Sequence, residues 1–190
     1  MQCSDEQLVD KFKKGSEEAF EGLVDRYEKR VYTLAYRFTG NHADAGDLAQ
    51  EVFIRVYRAL PKFRAESSFS TWIYKVAANV CRDELRKQRR RKTVSLENIQ
   101  AAQREIAIAD NSQSPEEFVE RRDLQVRVQR YIDQLNEEQR LILLLREMQE
   151  LSYEEIAEVL ECSLGTVKSR LSRARSALKN KMKAAGELYD

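Results

Sequence analysis

With 190 residues, 42% hydrophobic and 34% charged, the chain can bury one core or two small ones and stay in water. Six Gly and two Pro among long tracts of Glu, Lys, Arg, Leu and Ala argue for an all-α protein. The net charge of +1 conceals two basic blocks and an acidic connector. No apolar run approaches the ~18 residues needed to cross a bilayer, and no signal-like apolar segment opens the chain. One histidine, His42, and three scattered cysteines, Cys3, Cys81 and Cys162, make no metal set, so reduced thiols in a cytoplasmic protein are expected.

Taken in order, Ser4–Gln7 can cap a short helix carrying Leu8, Val9 and Phe12 that breaks at Gly15. Ser16 opens a longer one with Phe20, Leu23, Val24, Tyr27, Val31, Leu34, Ala35 and Phe38 at three- and four-residue spacing, closing near Gly40-Asn41. A third helix is expected from Ala43 to Leu60, stopped by Pro61. Its buried stripe is Leu48, Ala49, Val52, Phe53, Val56 and Leu60. Asp47, Gln50, Glu51 and Arg55 lie towards the other side, where solvation alone would account for them.

The polar loop Pro61–Ser70 holds Phe63 and Phe69. A fourth helix, about Phe69–Arg90, turns Phe69, Ile73, Val76, Ala77 and Val80 to the core, with Trp72 at the edge and Lys75, Asn79, Arg82 and Arg86 opposite, flanked by Asp83. Between Arg82 and Lys92 seven basic residues face two acids. Cations beside aromatic rings suit single-stranded nucleic acid, where cations follow phosphates and rings receive unstacked bases. Phe69 and Trp72 also fit plain core positions.

Residues 93–113 lose periodicity and read as a flexible linker; at ~3.5 Å per residue it can span up to roughly 70 Å. Ser114-Pro115-Glu116-Glu117 starts a helix carrying Phe118, Leu124, Val128, Tyr131, Ile132 and Leu135, and Asn136 caps the next, with Leu141, Ile142, Leu144, Leu145 and Met148. Ser152 and Glu155 form a capping box for a helix with Ile156, Ala157 and Leu160. After the turn Glu161–Ser163, a second helix turns Val167, Leu171, Ala174 and Leu178 inwards. Its stretch Lys168–Lys183 holds seven Lys or Arg and no acid. Two short helices, the second apolar on one face and cationic on the other, read as a helix-turn-helix. Arg173 can bind guanine O6 and N7 in two-pronged fashion and Lys168 can reach the same edge, with Ser169 and Ser172 on that outward side. Arg170, Arg175 and Lys179 are placed for phosphates, and Gly165-Thr166 can present helix-terminal amides to one.

Three stretches in this order and spacing, GNHADAGDLAQEVFIRVYRAL, FSTWIYKVAANVCRDELRKQ and LSYEEIAEVLECSLGTVKSRLSRAR, resemble the extracytoplasmic-function (ECF) class of bacterial sigma factors, over nearly the whole chain. The resemblance implies two small helical domains: 1–92 as sigma region 2 and 114–190 as region 4, joined by the linker 93–113. It implies that Asp47, Gln50 and Glu51 dock on the β′ clamp helices of core RNA polymerase, which also offers its β subunit as a partner. Phe63 to Phe69 would capture a flipped non-template base. Trp72, Lys75, Asn79, Arg82, Asp83 and Arg86 would read and open the −10 element. Ionised Asp83 can only accept, which suits a donor such as a cytosine amino group. The helix-turn-helix would read the −35 element. An anti-sigma factor is a further expected partner; no cofactor, metal, small-molecule substrate or enzymatic activity is expected. A stand-alone helix-turn-helix regulator acting as a dimer is the competing reading. It leaves the polar face of the third helix and the aromatic loop unexplained, and the chain has no heptad seam for pairing.

Overall fold

The computed structural model describes residues 3–94 and 126–187, and among these the secondary structure is helical throughout. Most of the linker, the helix start at Ser114–Glu117 and the side chains of Arg89–Lys92 lie outside the described residues.

Helix α1 (Asp5–Lys13) begins with a complete capping box, Ser4 with Gln7. Gly15, at φ 98°, takes the left-handed turn into α2 (Glu17–Thr39). Ser16 is the N-cap of α2 by position, but its hydroxyl donates to Glu18 rather than accepting a backbone amide. Gly40 closes α2 in the left-handed conformation. Asn41, expected as part of that ending, instead starts α3 (His42–Ala59), its side chain accepting from the amides of Ala43 and Asp44. A 3-10 turn, Leu60–Lys62, follows Ala59 and holds Pro61 early in the turn, where its missing N–H costs little. Ser68 caps α4 (Phe69–Val94) by accepting from Thr71 N at 3.0 Å.

The second half contains α5 (helical at 126–133), α6 (Glu137–Leu143), α7 (Tyr153–Leu160) and α8 (Leu164–Ala184). Asn136 caps α6 through Gln139 N. The end of α6 widens into a π turn, Leu144–Met148, which was not foreseen; its Leu144 and Leu145 are fully buried. Ser152 and Glu155 make the expected capping box on α7, and Ser163 caps α8.

The halves do not stand apart. Helix α7 packs along α4, the π turn packs on α2, and the buried apolar residues of both halves form one cluster. Polar contacts stitch the junction. Tyr74 Oη donates to Gln149 Oε1 at 2.6 Å, Thr71 Oγ1 donates to Glu155 Oε1 at 3.3 Å, and Arg140 Nη1 donates to the Phe38 carbonyl at 2.5 Å. Arg37 donates to Gln129 Oε1, whose amide donates back to the Arg37 carbonyl, both at 3.0 Å. Arg37 is buried, and burial lowers its pKa.

Candidate functional site

The polar face of α3 is presented as its spacing predicts. Leu48, Ala49, Val52 and Val56 are buried, which turns Asp47 and Gln50 to solvent and leaves Glu51 half-exposed. Beside them runs an apolar groove between α2 and α3, lined by Phe20, Val24, Tyr32, Phe53, Ile54 and Tyr57, with Gln50 on its wall. Sequence reasoning missed this groove. The available signal was Ile54 and Tyr57, two large apolar residues off the buried stripe; they are exposed at 36% and 43%. Arg55 donates to Glu51 on its own helix and to Asp83 on α4, and those hydrogen bonds, Asp83 foremost, raise its pKa.

The aromatic loop is folded inwards. Phe69 is core, stacked edge-on to Tyr27, and Phe63 is buried against Phe69 and Trp72 with ring centroids 6.3 and 4.8 Å away. The Phe63 carbonyl accepts from Lys13 Nζ at 2.5 Å. Trp72 is partly buried and packs on the core. Of the three rings only Trp72 keeps a substantial open surface; Phe69 takes the core position its spacing predicts, and Phe63 joins it instead of being displayed as the loop's polarity suggested. The apolar rings preferred each other to water.

Along α4, Asn79 and Arg86 are exposed and Arg82 and Asp83 half-exposed; Arg82 Nη1 lies 3.4 Å from Asn79 Oδ1. Lys75 is bound to Glu161 at 2.8 Å, the residue that ends α7 with a left-handed φ of 52°. The hydrogen bond from Lys75 holds the Glu161 carboxyl below the usual carboxylate range. The polar face of α4 is thus exposed at its C-terminal end and in contact with the end of α7 at its N-terminal end.

On α8, Val167, Leu171 and Ala174 are buried, which sends Lys168, Ser169, Ser172, Arg173 and Lys179 outwards as expected. Arg173 folds back on its own helix, Nε donating to the Ser169 carbonyl at 3.2 Å and Nη2 to Ser169 Oγ at 3.4 Å. Two cations assigned to phosphates already have carboxylate neighbours. Arg175 donates through Nε and Nη2 to Glu147 at 3.0 and 2.6 Å, and Arg170 lies 3.7 Å from Glu138. Glu147 lies in the π turn, so nothing in local spacing announced that pair. The Thr166 amide is taken by Ser163 Oγ at 3.2 Å, leaving exposed Gly165 as the residue of that pair facing solvent most openly. Cys81 is buried and its thiol is pushed up to about 12 by burial, which keeps it protonated and unreactive.

Among the described residues there is no group of three or more potential metal-ligating side chains, and no helix long and apolar enough to cross a membrane. Residues 23–91 match Sigma-70 region 2, and residues 125–178 match Sigma-70, region 4. The RNA polymerase sigma-H factor of Pseudomonas aeruginosa is 40% identical over 180 residues, 93% of each chain. The ECF RNA polymerase sigma-E factor of Escherichia coli strain K12 is 40% identical over 189 residues, 95% of each chain. A solved structure of the sigma factor RpoE in complex with the anti-sigma factor NepR from Bartonella quintana superposes with a TM-score of 0.71 at 25% identity, covering 86% of this chain and 96% of that one. CnrH, solved with the cytosolic domain of CnrY, has the same fold at a TM-score of 0.71 and 24% identity, over 95% and 97% of the two chains. With both sigma regions matched in order and such identity over nearly its full length, the chain belongs to the ECF sigma factors of the sigma-70 family, subunits that direct promoter-specific initiation of transcription.

Proposed function

We propose that the chain docks on core RNA polymerase through α3, reads the −35 element with α8 and both reads and melts the −10 element with α4, as a non-enzymatic cytoplasmic subunit. In this reading residues 1–92 act as region 2, 114–190 as region 4, and 93–113 as the tether that lets them separate on DNA. Asp47, Gln50 and Glu51 form the polar border of the polymerase contact, and the groove of Phe53, Ile54 and Tyr57 supplies its apolar centre. That groove is the observation that favours docking most. A solvated helix face would explain the carboxylates of α3 but not large apolar side chains exposed beside them.

For the −10 element, Asn79, Arg82, Asp83 and Arg86 meet bases and backbone, Lys75 joins them once released from Glu161, and Trp72 stacks on an unpaired base, with Phe63 and Phe69 forming the floor beneath it. Melting then draws on binding energy, because bases held on the protein no longer return to the stack. For the −35 element, Lys168, Ser169, Ser172 and Arg173 face base edges while Gly165, Thr166, Arg170 and Lys179 contact the backbone, and Arg175 lies beside them with its guanidinium held by Glu147. The anti-sigma factor NepR accompanies the sigma factor RpoE in its solved structure, and a protein of that kind is the expected inhibitor here.

The test is reconstituted transcription: core polymerase, purified protein and a promoter library, with run-off transcripts sequenced. Protein-dependent transcripts sharing two spaced elements are expected, and Glu51→Ala should lower core affinity while leaving duplex −35 binding intact. Tight duplex binding by a dimer without any transcript would refute the proposal.

A further inference from the structure

A chain of ion pairs joins the polymerase-facing side of α3 to the DNA-facing side of α4. Arg55 flanks the buried stripe of Val52 and Val56, on the side where α3 meets Asp83 of α4. Its Nε donates to Glu51 Oε1 at 2.7 Å, one turn earlier on α3, and its Nη1 donates to Asp83 Oδ2 at 2.8 Å on α4. All three side chains are 36–42% exposed. Pairs this wet contribute little to stability. What a planar guanidinium does contribute is direction, since its donors leave the plane edge at fixed angles and hold two acceptors in register. It occupies one oxygen of Asp83. The other, Oδ1, lies 3.7 Å from Arg86, too long for a hydrogen bond, and Arg86 is 72% exposed, so that oxygen remains open to an incoming donor.

We propose that Arg55 is a positioning residue: it holds Asp83 in one orientation for base reading and makes that orientation depend on what Glu51 is bound to. The inference rests on the roles given above to Glu51 in docking and Asp83 in reading. A polymerase contact that takes Glu51 leaves the guanidinium to Asp83 alone, so docking and base preference are coupled, and by linkage the coupling runs both ways. Neither carboxylate needs to move far, because one planar guanidinium touches both.

The experiment uses holoenzyme assembled from core polymerase and the full chain, with run-off transcription from a library in which every −10 base is varied. Asp83→Asn and Arg55→Gln should each flatten the preference at one and the same base, by about fivefold, and the double variant should lose no more than either single one. Arg55→Lys, with one ammonium that cannot bridge two carboxylates in register, should fall between, and it carries the comparison if Arg55→Gln folds poorly. Glu51→Gln should shift the preference at that same base although it lies on the docking face. If Arg55→Gln keeps the wild-type preference while Asp83→Asn changes it, or if the two losses multiply in the double variant, Arg55 does not position Asp83. If Glu51→Gln lowers core affinity yet leaves base preference untouched, the coupling fails. If Asp83→Asn changes no base preference, the reading of Asp83 itself is wrong and the inference falls with it.

Discussion

Arg173 and Gly165 are both exposed on α8, and the proposed −35 contact asks different things of them. Arg173 rests against Ser169 through one carbonyl and one hydroxyl contact, both exposed and easily exchanged for a base edge. Arg173→Ala should therefore cost about 1–3 kcal/mol in duplex binding and relax the −35 preference at one position, read by selection from randomised −35 elements. A uniform loss across all sequences would place its guanidinium on a phosphate. Gly165 has an ordinary negative φ, and a Cβ added there meets only Ser163 Oγ, at 3.8 Å. The fold thus has no need of glycine at this position, and Gly165→Ala should raise thermal stability, by up to about 1 kcal/mol for a helical Gly replaced by Ala. The same methyl group would stand between the helix terminus and an approaching phosphate. Tighter folding with weaker duplex binding is the expected pair of results, and unchanged binding would remove the phosphate from this site.

At the level of elements, the helices and their ends were legible because their causes are local. The capping boxes Ser4–Gln7 and Ser152–Glu155, the left-handed Gly40, and the three-and-four spacing on α2, α3 and α8 all act within a turn or two of chain. The outward face of α8 followed from its buried stripe for the same reason. What escaped was set by distant residues. Phe63 sits in a polar stretch that suggests display, yet Trp72 and the core ring of Phe69 offered it burial. Arg175 has the phase of a phosphate contact, yet the π turn at the end of α6 brings Glu147 to it. Both partners of that pair are about half-exposed, so the pair contributes little stability but occupies the guanidinium. The dependence of duplex affinity on salt separates these roles. Lys179→Ala should lower the slope by about 1, as expected for one lost phosphate contact, whereas Arg175→Ala should leave it unchanged. A lowered slope for Arg175→Ala would mean that DNA displaces Glu147.

For the whole molecule, the packing of α7 on α4 sets the proposed −10 face against the helix-turn-helix. The outward side of α8 is exposed in this arrangement, while Lys75 is held by Glu161 and Thr71 by Glu155. On the proposed reading, single-stranded −10 DNA takes Lys75 from Glu161 as α7 moves off α4, so its apparent affinity is reduced by the fraction of molecules that are open. Tyr74→Phe removes the 2.6 Å hydrogen bond to Gln149 and leaves the ring in place. A lost hydrogen bond of about 1 kcal/mol favours opening by roughly fivefold, and single-strand affinity should rise by up to that factor with −35 duplex affinity unchanged. Contact itself can be trapped. A carbodiimide joins an ammonium to a carboxylate only where the two touch, so the free protein should yield a Lys75–Glu161 cross-linked peptide by mass spectrometry. Saturating single-stranded −10 oligonucleotide should abolish that peptide, whereas −35 duplex should spare it. Cross-linked protein should keep duplex binding and lose single-strand binding. If the cross-link survives with the oligonucleotide bound, strand capture occurs without separation of α4 and α7, and Lys75 takes no part in it.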